Sequence, residues 1–193
     1  MYTLDQIFKD IPTYSSREIR GVKQLYARAV YENMIRKTSL IQKLYERRPE
    51  LFRVLQSFAS KEYGATKTVY RILHNMSEET YATRFNFAKQ NDIVTVGAYG
   101  NRKVFSWAAS INSKYIRERS WVLDPEHYSI ILRTEIPVSQ ILFSSDLISC
   151  AGLTKYISTK EKQKVVTNYY KEQEVTVIHN KPIKAVVFSA RSN

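Results

Sequence analysis

The chain has 193 residues, with 30 lysines and arginines against 18 aspartates and glutamates, a formal net charge of +12. Hydrophobic residues make up 44% and glycine and proline number five each, which excludes a collagen-like or low-complexity chain and leaves enough apolar surface for a real core. A single cysteine excludes an internal disulfide and a cysteine-based zinc site, no apolar run approaches the roughly 18 residues of a membrane span, and the charge surplus favours anionic partners.

The opening segment MYTLDQIFKD lacks a basic stretch followed by an apolar one, so no secretory signal is expected and the cytoplasm is the expected location. Ser15 or Ser16 can cap a first long helix. Its stripe is Ile19, Val22, Leu25, Tyr26, Ala29, Val30 and Met34, with Arg17, Arg20, Lys23 and Arg28 mostly outward. A second helix is predicted over Ser39–Glu46. Pro49 marks the first turn of a third, which carries Leu51, Phe52, Leu55 and Phe58.

The texture changes near Gly64. Thr66–Leu73 is rich in β-branched and aromatic residues and reads as a strand. Ser77 can cap a helix running to about Lys89, and Ile93–Val96 reads as a short strand. Gly97 and Gly100-Asn101 bracket a turn before a strand at Lys103–Trp107, and Asn112–Arg119 reads as a short helix. Tyr128–Ile136, ended by Pro137, is the most apolar strand, and Gln140–Phe143 is another. Ser158–Lys164 is polar and is expected to be a mobile loop. Glu172–Ile178 and Ile183–Phe188 are expected to form a closing hairpin around Asn180-Lys181-Pro182. Helices first, then six or seven strands with few helices between them, predict an α+β fold with a helical segment over 1–65 and a β-rich core over 66–193, packed as one unit.

No glycine-rich phosphate loop, HExxH or GxSxG pattern is present. His74, His127 and His179 do not fall at metal-ligand spacing, so no metal is expected. What remains is an ordered set. Arg71 follows Tyr70 inside an otherwise apolar strand. Ser106 and Ser110 flank Trp107 in FSWAASI, and Glu172 and Glu174 stand at the entry to a late strand.

In this order the chain resembles the arginine-specific mono-ADP-ribosyltransferases, a class marked by an arginine, a serine motif and a Glu-x-Glu. In particular it looks like the small enzymes that tailed phages use on host proteins, the Alt/ModA/ModB group. The matching pieces are TVYRIL at 68–73, SWAASI at 106–111, SIILRTEIP at 129–137 with QILFSSD at 140–146, and KEQEVTVI at 171–178. With the final strand they span roughly residues 66–190. The resemblance implies a split, mainly antiparallel core of two sheets meeting at a cleft that holds NAD. It implies that Arg71 holds the NAD diphosphate or the nicotinamide ribose, that the serine motif braces the active glutamate and the ribose, that Glu174 is the catalytic carboxylate and that Glu172 engages the acceptor arginine. Tyr70 and Trp107 would line the cofactor side. The usual Ser-Thr-Ser is replaced here by Ser106-Trp107-Ala108-Ala109-Ser110. One register makes Ser106 the key hydroxyl with Ser110 in support; the other places Ala108 there and keeps Ser110.

The chemistry accounts for paired glutamates. Breaking the ribose–nicotinamide bond builds an oxocarbenium-like cation that a fixed carboxylate stabilises, and a second carboxylate must orient the incoming guanidinium and take its proton. On an extended chain, residues i and i+2 point to one side, so Glu172 and Glu174 are expected to share a face with Gln173 turned away. A loop over Ser158–Lys171, with Tyr169 and Tyr170, would contact the target protein. The expected acceptor is an arginine on a protein, with the translation and transcription machinery among the candidate targets. RNA or RNA-linked NAD is a further anionic partner that the charge would suit. The alternatives are an NAD glycohydrolase and a non-enzymatic basic module that binds RNA or nucleoprotein, the latter motivated by the charge and 14 tyrosines.

Overall fold

The structure, a computed structural model, describes residues 1–9, 11, 14–35, 40–97, 103–114, 116–117, 127–179 and 181–191. Four helices come first: α1 (Leu4–Phe8), α2 (Ser16–Met34), α3 (Leu40–Arg47) and α4 (Pro49–Tyr63). Strand β1 (Thr66–Met76), α5 (Glu78–Phe85), β2 (Ile93–Val96), β3 (Val104–Ala108) and β4 (Tyr128–Pro137) follow. A 3₁₀ turn, Val138–Gln140, leads into β5 (Ile141–Ser144), then α6 (Cys150–Thr154), α7 (Lys160–Tyr170), β6 (Glu174–Ile178) and β7 (Ile183–Arg191). The fold is α+β, as the order of apolar patterns predicts.

Local chemistry sets most of the boundaries. Ser15 caps α2 in a capping box with Glu18, so two otherwise unpaired backbone N–H groups at the helix start are satisfied reciprocally. Pro49 occupies the first turn of α4, where its missing N–H costs nothing. Ser77 caps α5, which stops at Phe85, short of the expected Lys89, because Asn86 turns left-handed at φ 49°. The expected helix at Asn112–Arg119 and the turns at Gly100-Asn101 and Asn180-Lys181-Pro182 fall partly or wholly outside the described residues.

The seven strands form one antiparallel sheet in the order β2-β7-β4-β1-β3-β6-β5. β4 lies along nearly the whole of β1, from Thr66 opposite Pro137 to Met76 opposite Tyr128. The link between β1 and β3 is much slighter: the described register there is the single pair Tyr70–Ala108. The expected closing hairpin is not formed. β6 inserts between β3 and β5, β7 inserts between β2 and β4, and the two lie on opposite sides of β1. Two apolar strands close in sequence look like a hairpin. Here each has two neighbours to satisfy its backbone groups, which is worth more than pairing with the other alone.

The N-terminal helices and the strands share one core. Tyr26 of α2 is fully buried, sets its ring against Phe8 of α1 and Phe52 of α4, and donates its hydroxyl to the Leu142 carbonyl of β5 at 2.7 Å. Each such large side chain contributes about 1.5–3 kcal/mol on burial. Two expectations about α2 are corrected. Leu25 is 40% exposed, while Lys23 turns inward and reaches Asp5 at 2.6 Å. Asp5 also accepts from Lys155 and Tyr156, so this clasp ties α1 and α2 to the segment after α6.

The segment expected as a mobile loop is α7, capped by Thr159 and anchored by the buried Val166. Its polar composition conceals a helix because only a narrow stripe of it touches the core. No described helix is long and apolar enough to cross a membrane.

Candidate active site

Arg71 projects from β1 beside the aromatic pair on β3. Its guanidinium carbon lies 5.8 Å from the Phe105 ring centre and 5.9 Å from that of Trp107, within reach of a cation–π interaction. Behind the pair stands His179, 1% exposed, with its ring 5.3 Å from Phe105. His179 Nδ1 lies 3.3 Å from the Gln140 amide oxygen, so the neutral ring carries its proton there. Burial, and secondarily the positive charge of Arg71, push its pKa down to about 4. A neutral imidazole adds no second positive charge beside the guanidinium.

Glu174 begins β6 and is 7% exposed. Its Oε1 is the hub of a side-chain network: the Ser106 hydroxyl donates to it at 2.7 Å, the Asn33 amide at 3.1 Å and the Thr176 hydroxyl at 3.1 Å. Asn33 also donates to Thr176 Oγ1 at 3.1 Å. The register explains the meeting, since Ala108 is opposite Glu174 and Ser106 is opposite Thr176, all on one face of the ladder. Three donors on one oxygen fix the carboxylate's orientation, and burial strengthens each bond to the charged group.

Glu172 reaches the same cavity by a different route from the one expected. It lies outside β6, in the turn that ends α7, where its N–H donates to the Tyr169 carbonyl at 2.9 Å. Gln173 takes a left-handed conformation at φ 52° and reverses the chain into the strand. The turn is pinned to the end of β3, because the Ala109 N–H donates to the Gln173 carbonyl at 2.7 Å. The two carboxylates therefore face one space through a bend at Gln173, and strand alternation plays no part.

The cavity they share has a volume of about 310 Å³. Arg71, Ser106, Trp107, Tyr169, Glu172 and Glu174 all line it, so six of the nine sequence-predicted site residues come together. The other three lie elsewhere. Ser110 accepts from the Asn112 N–H in the turn after β3, Tyr70 leaves the opposite side of β1 and packs edge-on against Phe188 at 5.8 Å, and Tyr170 packs against Phe143 at 5.9 Å. Of the two serine registers, the one with Ser106 puts a hydroxyl on Glu174.

Sequence reasoning missed Asn33 and Thr176, and also His74 of β1 and Arg84 of α5, which add an imidazole and a guanidinium to the cavity wall. Thr176 was legible as the next same-face residue after Glu174. Asn33 carried no signal, because a polar residue near a helix end is ordinary. Among the described residues no cluster of His, Cys, Asp or Glu is suited to a metal ion. Comparison of the chain with known protein families, with curated proteins and with solved structures returns no match.

Proposed function

We propose that this chain transfers ADP-ribose from NAD to arginine side chains of proteins and releases nicotinamide. The observation that carries the reading is the convergence of Arg71, Ser106, Glu172 and a triply anchored Glu174 on one cavity. A cavity of this size is at the low end of small-molecule sites, about 300–1,000 Å³, so it suits one end of a dinucleotide better than the whole. The slight link between β1 and β3 supports dividing the sheet into two halves, β2-β7-β4-β1 and β3-β6-β5, with the cavity where they meet.

In this reading the guanidinium of Arg71 binds diphosphate oxygens or the nicotinamide ribose, since its planar fork offers several donors to acceptor oxygens. The bond between ribose C1′ and the nicotinamide nitrogen breaks with both electrons going to the nicotinamide, which leaves neutral and needs no acid. Positive charge then develops on the ribose. Glu174, held by its three donors, faces that charge without having to reorganise. Glu172 orients the acceptor guanidinium, whose nitrogen forms the new bond to C1′, and takes the proton it loses. Tyr169, on the wall of the same cavity, is the side chain offered to the incoming acceptor. The charge surplus draws the chain toward targets near nucleic acid, such as translation or transcription proteins.

The test is incubation of the protein with labelled NAD and a cell lysate. Wild type is expected to label proteins and Glu174→Gln to lose about a hundredfold or more of the activity, the scale for removing a preorganised electrostatic group. Equal labelling by the two would overturn the assignment.

A further inference from the structure

A second cavity, of about 360 Å³, lies between α2 and the α6–α7 segment. Arg28 and Tyr31 of α2, Lys155 and Tyr156 after α6, and Ser158 and Lys162 at the start of α7 line it. Two of its cations lie over aromatic rings. Lys162 Nζ sits 5.6 Å from the Tyr31 ring centre, and Lys155 Nζ sits 5.7 Å from that of Tyr156. Lys155 also pairs with Asp5 at 2.8 Å, and Arg28 lies 3.8 Å from Glu32. Asp5 is shared with Lys23, so the cluster keeps a positive balance after these pairs are counted.

The same two helices connect this cavity to the candidate active site. Tyr31 and Met34 are one turn apart on α2, the first lining the basic cavity and the second the catalytic one. On α7, Lys162 lines the basic cavity and Tyr169 the catalytic one. Seven helical residues correspond to about 10 Å. An extended peptide rises about 3.3 Å per residue, so about three residues span that distance.

Resting on the proposed transferase reading, we propose that this basic cavity is an acceptor subsite: it binds a carboxylate side chain about three residues from the arginine to be modified. The substrate class is thereby narrowed to arginines on extended, acidic segments. A stacked nucleic-acid base is the less favoured occupant. Both tyrosines already carry an ammonium group over a ring, and a cavity of this size takes one or two side chains more readily than a strand.

The experiment uses the full chain and three acceptors: a small guanidine compound, an unstructured peptide with aspartates three residues either side of one arginine, and the same peptide with asparagines. Wild type is expected to show a KM for the acidic peptide about three- to tenfold below that for the neutral one, the scale of one or two exposed charge pairs. The double variant Arg28→Glu/Lys162→Glu should lose that difference while keeping its kcat, its KM for NAD and its rate with the small guanidine. Binding of the fluorescently labelled acidic peptide, followed by anisotropy at low salt, should weaken in parallel. Equal KM values for the two peptides in wild type, or modification of the small guanidine but of neither peptide, overturn the subsite. Single-stranded RNA that displaces the labelled peptide from wild type more tightly than the peptide itself binds, and fails to bind the double variant, also overturns it and gives the cavity to nucleic acid. Failure to modify even the small guanidine removes the transferase reading, whereas anisotropy still reports whether the acidic peptide binds at Arg28 and Lys162.

Discussion

The bond from Ser106 to Glu174 gives the sharpest prediction. Glu174 Oε1 accepts from three side chains, and the 2.7 Å bond from Ser106 is the shortest. Replacing Ser106 by Ala removes that donor and leaves Asn33 and Thr176 in place, so the carboxylate stays buried but loses its shortest bond. A hydrogen bond to a charged group is worth about 1.5–3 kcal/mol. If the cation-stabilising position of Glu174 depends on it, kcat should fall about tenfold to 160-fold, with KM for NAD nearly unchanged. The assay is single-turnover release of nicotinamide at saturating NAD. Ser110→Ala is the control: its hydroxyl accepts from the Asn112 N–H and lies away from Glu174, so its effect should stay within about twofold, the range of ordinary surface changes. A wild-type rate for Ser106→Ala, or equal losses for the two variants, would refute the reasoning.

Glu172→Gln should suppress transfer to arginine while nicotinamide release continues as NAD hydrolysis, because the cation still forms and water traps it; parallel loss of both readouts would remove the division of labour between the two carboxylates. His179 should make stability depend on pH. Its pKa falls from the ordinary 6.5 to about 4 in the folded chain, so between those values the unfolded chain binds a proton that the folded chain excludes. Stability is full above pH 6.5 and falls as pH drops through the window, by about 3 kcal/mol in all. His179→Gln should flatten urea midpoints between pH 6.5 and 4, and an unchanged slope would assign the loss to other groups. Tyr26→Phe should cost about 1–3 kcal/mol, because the Leu142 carbonyl loses its buried donor; a lower urea midpoint at constant m would register it.

The local order of this chain was legible because it rests on short-range rules. Ser15, Pro49 and Ser77 announce helix starts through capping and proline geometry, and the β-branched runs at Thr66 and Tyr128 announce strands. Arg71, Ser106 and the two glutamates were visible as polar residues in apolar settings. What the sequence concealed depends on contacts far apart along the chain. No local rule tells β6 and β7 to avoid each other, since that choice is made by the strands available on either side. The polar stretch after Ser158 folds as α7 because Val166 finds the core, and that helix delivers Glu172 through the bend at Gln173. Asn33 is 141 residues from Glu174 along the chain, and only the packing of α2 against the sheet makes it a ligand of that carboxylate. Sequence alone thus determined which segments are helices and strands and which side chains could do chemistry. The tertiary structure decided which of them meet, because burial and pairing energies are settled between partners that the chain brings together only on folding.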